Sequence, residues 1–144
     1  MKCDICSSEA VTFVAYNGSH LCGEHFMKYV EKRVKKEVRK QIDVHSGDKI
    51  AVAVSGGKDS MVTLHILNAV FGHRPDVGLH VITIDEGIDG YRPPSVDIVK
   101  EYCAARDLPM SIRSFSEMDL TMDSISSVTG ENSPCTYCGV FRRK

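Results

Sequence analysis

The apolar run Ile50-Ala51-Val52-Ala53-Val54 passes directly into Ser55-Gly56-Gly57-Lys58-Asp59-Ser60. β-Branched residues alternating with small ones favour a strand, and the Gly-Gly pair marks a tight turn into a helix. A strand that feeds a helix through so short a turn points to an α/β design. The glycines let backbone N–H groups approach an anion closely. The helix that begins near Lys58 directs its positive dipole end at the same spot. Ser55 and Ser60 add hydroxyl donors, Lys58 adds a charge, and Asp59 can hold a magnesium ion or its water. Together these residues form a cradle for a pyrophosphate-bearing nucleotide. The alternative is an ordinary Gly-Gly turn. A Walker A loop is excluded, because its spacing does not fit here.

The surrounding pattern supplies a sheet. Met61, Val62, Leu64, Ile66, Leu67 and Val70 make a helix from Lys58 to about Phe71 that is apolar nearly all round. Val77 to Asp85 is nearly continuous in apolar residues, as expected of a buried parallel strand. A helix from Ser95 to Asp107 follows Pro93-Pro94, and Pro109 to Ser114 gives another strand. This alternation predicts a doubly wound parallel α/β sheet. Ligands of such sheets sit beyond the carboxyl ends of the strands, so Ser55–Ser60 and Asp85–Tyr91 share one rim and Asp85 joins the nucleotide contacts. Phe26, Val30, Val34, Val38 and Ile42 recur every four residues and predict a helix with an inward apolar stripe. The expected organisation is a small finger over 1–25, a basic linker helix over 26–45 and a nucleotide domain over 46–144 that is incomplete at its C-terminal end.

Six cysteines fall in distinct settings. Cys3-x-x-Cys6 and Cys22-x-x-His25 stand fifteen residues apart, the spacing of a closed tetrahedral zinc site. A segment this short has no core of its own without metal, so the site is structural. Cys135-x-x-Cys138 lies in a loop rich in Pro and Gly, and half a zinc site, a redox dithiol and iron–sulfur ligation all remain open for it. Cys103 falls on the Val96/Val99 stripe and reads as a buried thiol. The histidines at 45, 65, 73 and 80 show no ligand spacing, and His20 suits a loop surface.

The formal net charge is −1, but charge is unevenly placed. Lys28, Lys32, Arg33, Lys35, Lys36, Arg39 and Lys40 face only Glu31 and Glu37 within their segment, and Arg142-Arg143-Lys144 adds a second basic stretch that reads as the start of another helix. The stretch from Asp85 to Glu131 is acidic. A basic helix is by default a solvated face, but this excess also suits nucleic acid. No apolar run is long enough to cross a membrane, and Met1-Lys2-Cys3-Asp4 does not begin a signal peptide. A cytoplasmic chain is expected, in which cysteines serve metals or the core rather than disulfides.

The string S-G-G-K-D-S resembles the signature of the PP-loop ATP pyrophosphatases, the adenine nucleotide α-hydrolase-like fold. Taken with the finger, with Asp85-Glu86-Gly87-Ile88-Asp89-Gly90-Tyr91-Arg92 and with Pro134-Cys135-Thr136-Tyr137-Cys138-Gly139-Val140-Phe141-Arg142-Arg143, the whole chain resembles the tRNA 2-thiolation enzymes of the TtcA/TtuA type. The finger and the segment Glu86-Gly87-Ile88-Asp89-Gly90-Tyr91-Arg92 favour the branch holding TtuA and the cytosolic wobble-uridine thiolases over the cytidine-thiolating TtcA branch. The resemblance implies ATP-dependent adenylation of a tRNA uridine 2-oxygen followed by sulfur transfer. It implies zinc in the finger, ATP with magnesium at the loop, and a 4Fe–4S cluster whose ligands include Cys135 and Cys138. The third cysteine is expected beyond residue 144, because family members are longer. Arg142 stands where some relatives carry a lysine assigned to catalysis. A ubiquitin-like carrier with a C-terminal thiocarboxylate is the implied sulfur source, and a homodimer or heterodimer the expected assembly. The competing readings are a non-catalytic module binding tRNA or the carrier, with a vestigial nucleotide site, and another PP-loop tRNA ligase such as a lysidine synthetase. Lysidine formation has no use for Cys135 and Cys138.

Overall fold

In a computed structural model, the strand and helix that flank the Gly-Gly turn form where the residue pattern requires them. The structure describes residues 1–129 and 133–143. Lys144, the last of the basic C-terminal residues, and Glu131, the end of the acidic stretch, lie outside them. The chain divides into two compact units, Met1–Val44 and His45–Lys144, so the basic helix belongs to the same unit as the finger.

In the first unit, β1 (Thr12–Val14) pairs antiparallel with β2 (Ser19–Leu21), and α1 (Gly23–Gln41) follows directly. The interior is small. Cys3, Leu21 and Cys22 are buried, with Cys6, Val14 and Tyr29 packed against them. Three of these six residues are prospective metal ligands, so little apolar area is left to hold the unit together. Arg33 lies over the Tyr16 ring at 4.2 Å and ties the helix to the hairpin turn. Glu24–Lys28 at 2.5 Å and Glu31–Lys35 at 3.4 Å place the acid four residues before the base, the favourable order on a helix. The apolar stripe departs from expectation. No α1 residue is buried; Val30, Val34 and Val38 are half-covered, and Phe26 and Ile42 are exposed. A helix of 19 residues outruns the three-residue strands beside it.

The second unit is built on a parallel sheet of β3 (Lys49–Ala53), β4 (Gly78–Asp85) and β5 (Met110–Ser114), in that spatial order. α2 (Lys58–Phe71) and α3 (Arg92–Ala104) are the crossovers. This βαβαβ arrangement is one half of a doubly wound sheet. Leu64, Ile66 and Phe71 of α2, Val96, Val99 and Cys103 of α3, and Val52, Leu79 and Val81 of the sheet form the buried interior. β4 alternates instead of being buried on both faces: Leu79, Val81 and Thr83 are buried, while His80, Ile82 and Ile84 are half-buried. A strand order that advances one way, with right-handed crossovers, puts both helices on one face. The other face is left to Ile82 and Ile84, where a cleft opens.

After β5, a 3-10 turn (Phe115–Met118), α4 (Met122–Val128) and α5 (Pro134–Phe141) complete the unit. Phe115, Met122 and Ile125 are buried together, with Cys138 and Phe141 packed on them. Two expectations are corrected here. α3 begins at Arg92 rather than Ser95, because prolines fit the first turn, where a missing N–H costs nothing. Cys135 and Cys138 stand on a helix rather than in a loop, for the same reason: Pro134 starts α5. Arg142 is the C-terminal cap of α5.

Candidate functional site

The loop between β3 and α2 is held open by its own backbone. Gly56 has φ +83°, and a Cβ there would strike the Ser95 carbonyl at the start of α3. Gly57 has φ −75° and meets only Ser55 Oγ, at 3.4 Å, so the space beside it is free. Ser60 Oγ donates to the Gly57 carbonyl at 2.8 Å and lies 3.1 Å from Ser55 Oγ. The Gly57 N–H reaches Ser55 Oγ at 3.3 Å. Gly57 caps α2, so the helix N–H groups and both hydroxyls gather at one point, the arrangement that binds an anion. The Lys58 and Asp59 side chains are 88% and 97% exposed, free to meet phosphate and metal. Their mutual distance of 3.9 Å at that exposure contributes nothing to stability.

Beside the loop lies a cleft of about 210 Å³ lined by Ser55, Ser60, Glu86, Arg92 and Arg142, with Ile82 and Ile84 from the uncovered face of β4. Its polar wall rests on a group that sequence reasoning missed. Glu86 is 4% exposed, and its two carboxylate oxygens are shared between Arg92 Nε, at 2.5 Å, and the Arg142 guanidinium. Arg92 is equally buried. Its Nε donates to the Ile84 carbonyl at 2.8 Å, and its terminal nitrogens donate to the carbonyls of Ile84 and Ser55. One guanidinium thereby fastens the end of β4 to the first residue of the loop. Arg142, half-exposed, joins α5 to the same carboxylate. Asp85 is turned to local work: its Oδ1 accepts the Gly87 N–H at 3.0 Å, and it is not among the described residues lining the cleft. Cys138 is half-buried in the Phe115 cluster and Cys135 is exposed, one helical turn apart on α5 and one turn before Arg142. Nothing in the spacing of Glu86 and Arg92 announces a buried pair; the signal was a charged residue directly after an apolar strand and an arginine before two prolines.

In the first unit, all four predicted ligands converge. The sulfurs of Cys3, Cys6 and Cys22 and Nδ1 of His25 lie within 4.8 Å of one another. Cys6 Sγ to Cys22 Sγ is 3.8 Å, Cys3 Sγ to His25 Nδ1 is 3.5 Å, and Cys22 Sγ to His25 Nδ1 is 3.2 Å. Zinc bonds of ~2.3 Å to sulfur and ~2.0 Å to nitrogen give tetrahedral edges of about 3.7 and 3.5 Å, so the donor set fits that ion. Burial pushes the Cys3 thiol up, but hydrogen bonds from the backbone of Cys22, Ile5 and Cys6 outweigh it and bring the pKa down to about 6. For Cys22, the His25 backbone bond lowers the pKa, yet burial and the adjacent Cys6 and Cys3 sulfurs push it up overall. His20, by contrast, sits on β2 opposite Phe13 and hydrogen-bonds through its backbone to Asp4.

Residues 27–130 match the family described as "PP-loop domain". The chain belongs to the PP-loop family. Residues 2–27 match "2-thiouridine synthetase TtuA, N-terminal LIM domain". The chain is 40% identical to the tRNA 2-thiolation protein NcsA of Haloferax volcanii, over 99% of this chain and 47% of that protein. It is 40% identical to cytoplasmic tRNA 2-thiolation protein 1 of Saccharomyces cerevisiae, over 99% of this chain and 40% of that one. Among solved structures, the U34-tRNA thiolase NcsA of Methanococcus maripaludis, determined with its 4Fe–4S cluster, superposes with a TM-score of 0.80 at 31% identity, covering 99% of this chain and 48% of that one. This PP-loop chain therefore spans about half or less of the length of the relatives it matches. Among the described residues no helix is long and apolar enough to cross a membrane.

Proposed function

We propose that this chain is the nucleotide-binding part of a tRNA 2-thiouridine synthase. The observation that carries this reading is the Glu86 carboxylate, which joins the loop, through Arg92 and the Ser55 carbonyl, to Arg142 at the end of the Cys135/Cys138 helix. A phosphate-activating loop and a pair of thiols attached to one buried anchor suit a reaction that first activates an oxygen and then replaces it with sulfur.

Ser55, Gly56, Gly57, Lys58 and Ser60 bind the β and γ phosphates of ATP through backbone N–H groups, hydroxyls and the ammonium. Asp59, whose one described ion pair is a 3.9 Å, solvent-exposed contact with Lys58, holds magnesium. Arg142 lies at the cleft wall with donors to spare for the α phosphate, since only one terminal nitrogen is engaged by Glu86. The uridine 2-oxygen attacks that phosphorus and pyrophosphate leaves. Sulfur then adds at C2 and AMP departs. Ile82 and Ile84 exclude water from the cleft floor. Cys135 and Cys138, one turn apart with one exposed, fit two corners of a 4Fe–4S cluster, and a third cysteine belongs beyond residue 144. When bound, such a cluster supplies an iron site for the incoming sulfur. Cys3, Cys6, Cys22 and His25 hold zinc, which supplies folding energy rather than chemistry. The sulfur source is a thiocarboxylated ubiquitin-like carrier, the assembly a homodimer or heterodimer, and the compartment the cytoplasm.

The test is anaerobic reaction of the full-length protein with tRNA, magnesium ATP and sulfide, reading 2-thiouridine, AMP and pyrophosphate. Wild type should form all three in equal amounts, and Asp59→Ala should lose at least tenfold in rate. ATP binding with no AMP formed would replace this reading with a non-catalytic binding module.

A further inference from the structure

α1 carries a charged face that neither the finger nor the nucleotide site uses. At 100° per residue, Lys28, Lys32, Lys35, Lys36, Arg39 and Lys40 fall on one side of the helix, and the Phe26–Ile42 stripe on the other. Lys28 and Lys35 are engaged by Glu24 and Glu31. Lys32, Lys36, Arg39 and Lys40 are exposed, and their side chains form no ion pair among the described residues. Lys32, Lys36 and Lys40 are four apart. At ~1.5 Å rise per residue they stand about 6 Å from one to the next, a row of about 12 Å, with Arg39 alongside.

Three occupants fit a cationic helix: a lipid surface, an acidic protein and a nucleic acid. A membrane-lying helix needs a free apolar face opposite its charges. Here three of the five stripe residues, Val30, Val34 and Val38, are already half-covered. A protein interface centres on buried Trp, Tyr or Arg anchors in pockets. The Lys32–Lys40 row offers point charges on flexible stems, which suit phosphates read for position and not for sequence. We propose that the Lys32–Lys36–Lys40 face of α1, with Arg39, docks the phosphodiester backbone of the RNA substrate; this rests on the tRNA reading above for the identity of that RNA. The face supplies affinity and orientation without base recognition.

The test is the triple substitution Lys32→Gln, Lys36→Gln, Lys40→Gln in the full-length protein. Gln matches Lys in helix propensity, so α1 persists. Binding of unmodified tRNA is followed by fluorescence anisotropy across a salt series. Each lost phosphate contact removes ~0.7 to 0.9 from the slope of log affinity against log salt. The triple variant should therefore bind tRNA at least tenfold more weakly near 0.1 M salt, with a slope shallower by about two. Triple Lys→Arg should retain the wild-type slope, and zinc content and ATP affinity should not change in either. Equal tRNA affinity and slope in wild type and the Gln variant would overturn the proposal. So would loss of binding to an acidic carrier protein or to anionic phosphatidylserine vesicles with tRNA binding intact. The two readings fail separately. Wild type that binds tRNA with the steep slope yet forms no 2-thiouridine refutes the reaction and leaves the surface. An active enzyme whose Gln variant binds tRNA normally refutes the surface and leaves the reaction.

Discussion

Replacing Glu86 with Gln keeps the shape of the side chain and removes the charge that two arginines share. Arg92 is 4% exposed, so it would be left as a buried cation without its carboxylate. Breaking a buried pair from one side costs ~3–5 kcal/mol. The lower end applies here, because Arg92 keeps its bonds to the Ile84 and Ser55 carbonyls. The Arg142 side of the network is 53% exposed, and an ion pair of that exposure is worth about 1 kcal/mol or less. Glu86→Gln should therefore destabilise the second unit by about 3 kcal/mol and Arg142→Gln by at most about 1. Urea unfolding with matched m-values gives both numbers. A third variant, Glu86→Leu with Arg92→Leu, removes both buried charges together and should be less destabilised than Glu86→Gln, since the only ion left unpaired, Arg142, is half-exposed. The same Glu86→Gln protein should bind ATP more weakly despite losing a negative charge near the phosphates, because the loop loses the brace at Ser55. Equal stability losses for Glu86→Gln and Arg142→Gln, or tighter ATP binding by Glu86→Gln, would refute the view that Glu86 anchors the loop.

The two loop glycines should separate folding from binding. Gly56→Ala combines φ +83° with a collision against the Ser95 carbonyl, so it should lower the melting temperature by several degrees, whereas Gly57→Ala should melt as wild type yet bind ATP at least tenfold more weakly by calorimetry. In the finger, Cys22→Ala should abolish one equivalent of tightly held zinc and the exchange protection of residues 3–25, since apparent zinc free energies are on the order of 10 kcal/mol and the unit has almost no other interior; unchanged zinc content would rule the site out.

The parts of this molecule that were legible in its sequence are those fixed by local chemistry. The Gly-Gly turn and the apolar run after Lys58 predicted a helix from Lys58 to about Phe71, where α2 lies, and the Val96/Val99/Cys103 stripe is buried as its spacing requires. The convergence of Cys3, Cys6, Cys22 and His25 was readable because metal geometry would impose such a spacing on the chain. Two of the misreadings share one cause, the treatment of proline as a terminator. Pro93-Pro94 and Pro134 are placed in first turns, so Arg92 joined α3 and Cys135 and Cys138 became helical. The stripe of α1 misled differently: period alone says which residues share a face, and cannot say what covers it.

Glu86 was illegible for a deeper reason. Its partners lie six residues away and, through Arg142, across α4 and α5. No local pattern encodes that pairing; only the sheet, by ending β4 beside the loop, brings the three charges together. The contrast between exposed and buried charges then has a mechanical reading. The residues proposed to meet the nucleotide, Lys58 and Asp59, are almost fully exposed to solvent and can reorganise around an incoming phosphate. The loop backbone that positions them cannot reorganise, because Ser55 is bonded to a guanidinium that is itself buried against a carboxylate. A cradle of backbone N–H groups binds an anion well only if its geometry exists before the anion arrives. The cost of burying Glu86 and Arg92 is the cost of that preorganisation, and it falls on residues that line the cleft beside the loop.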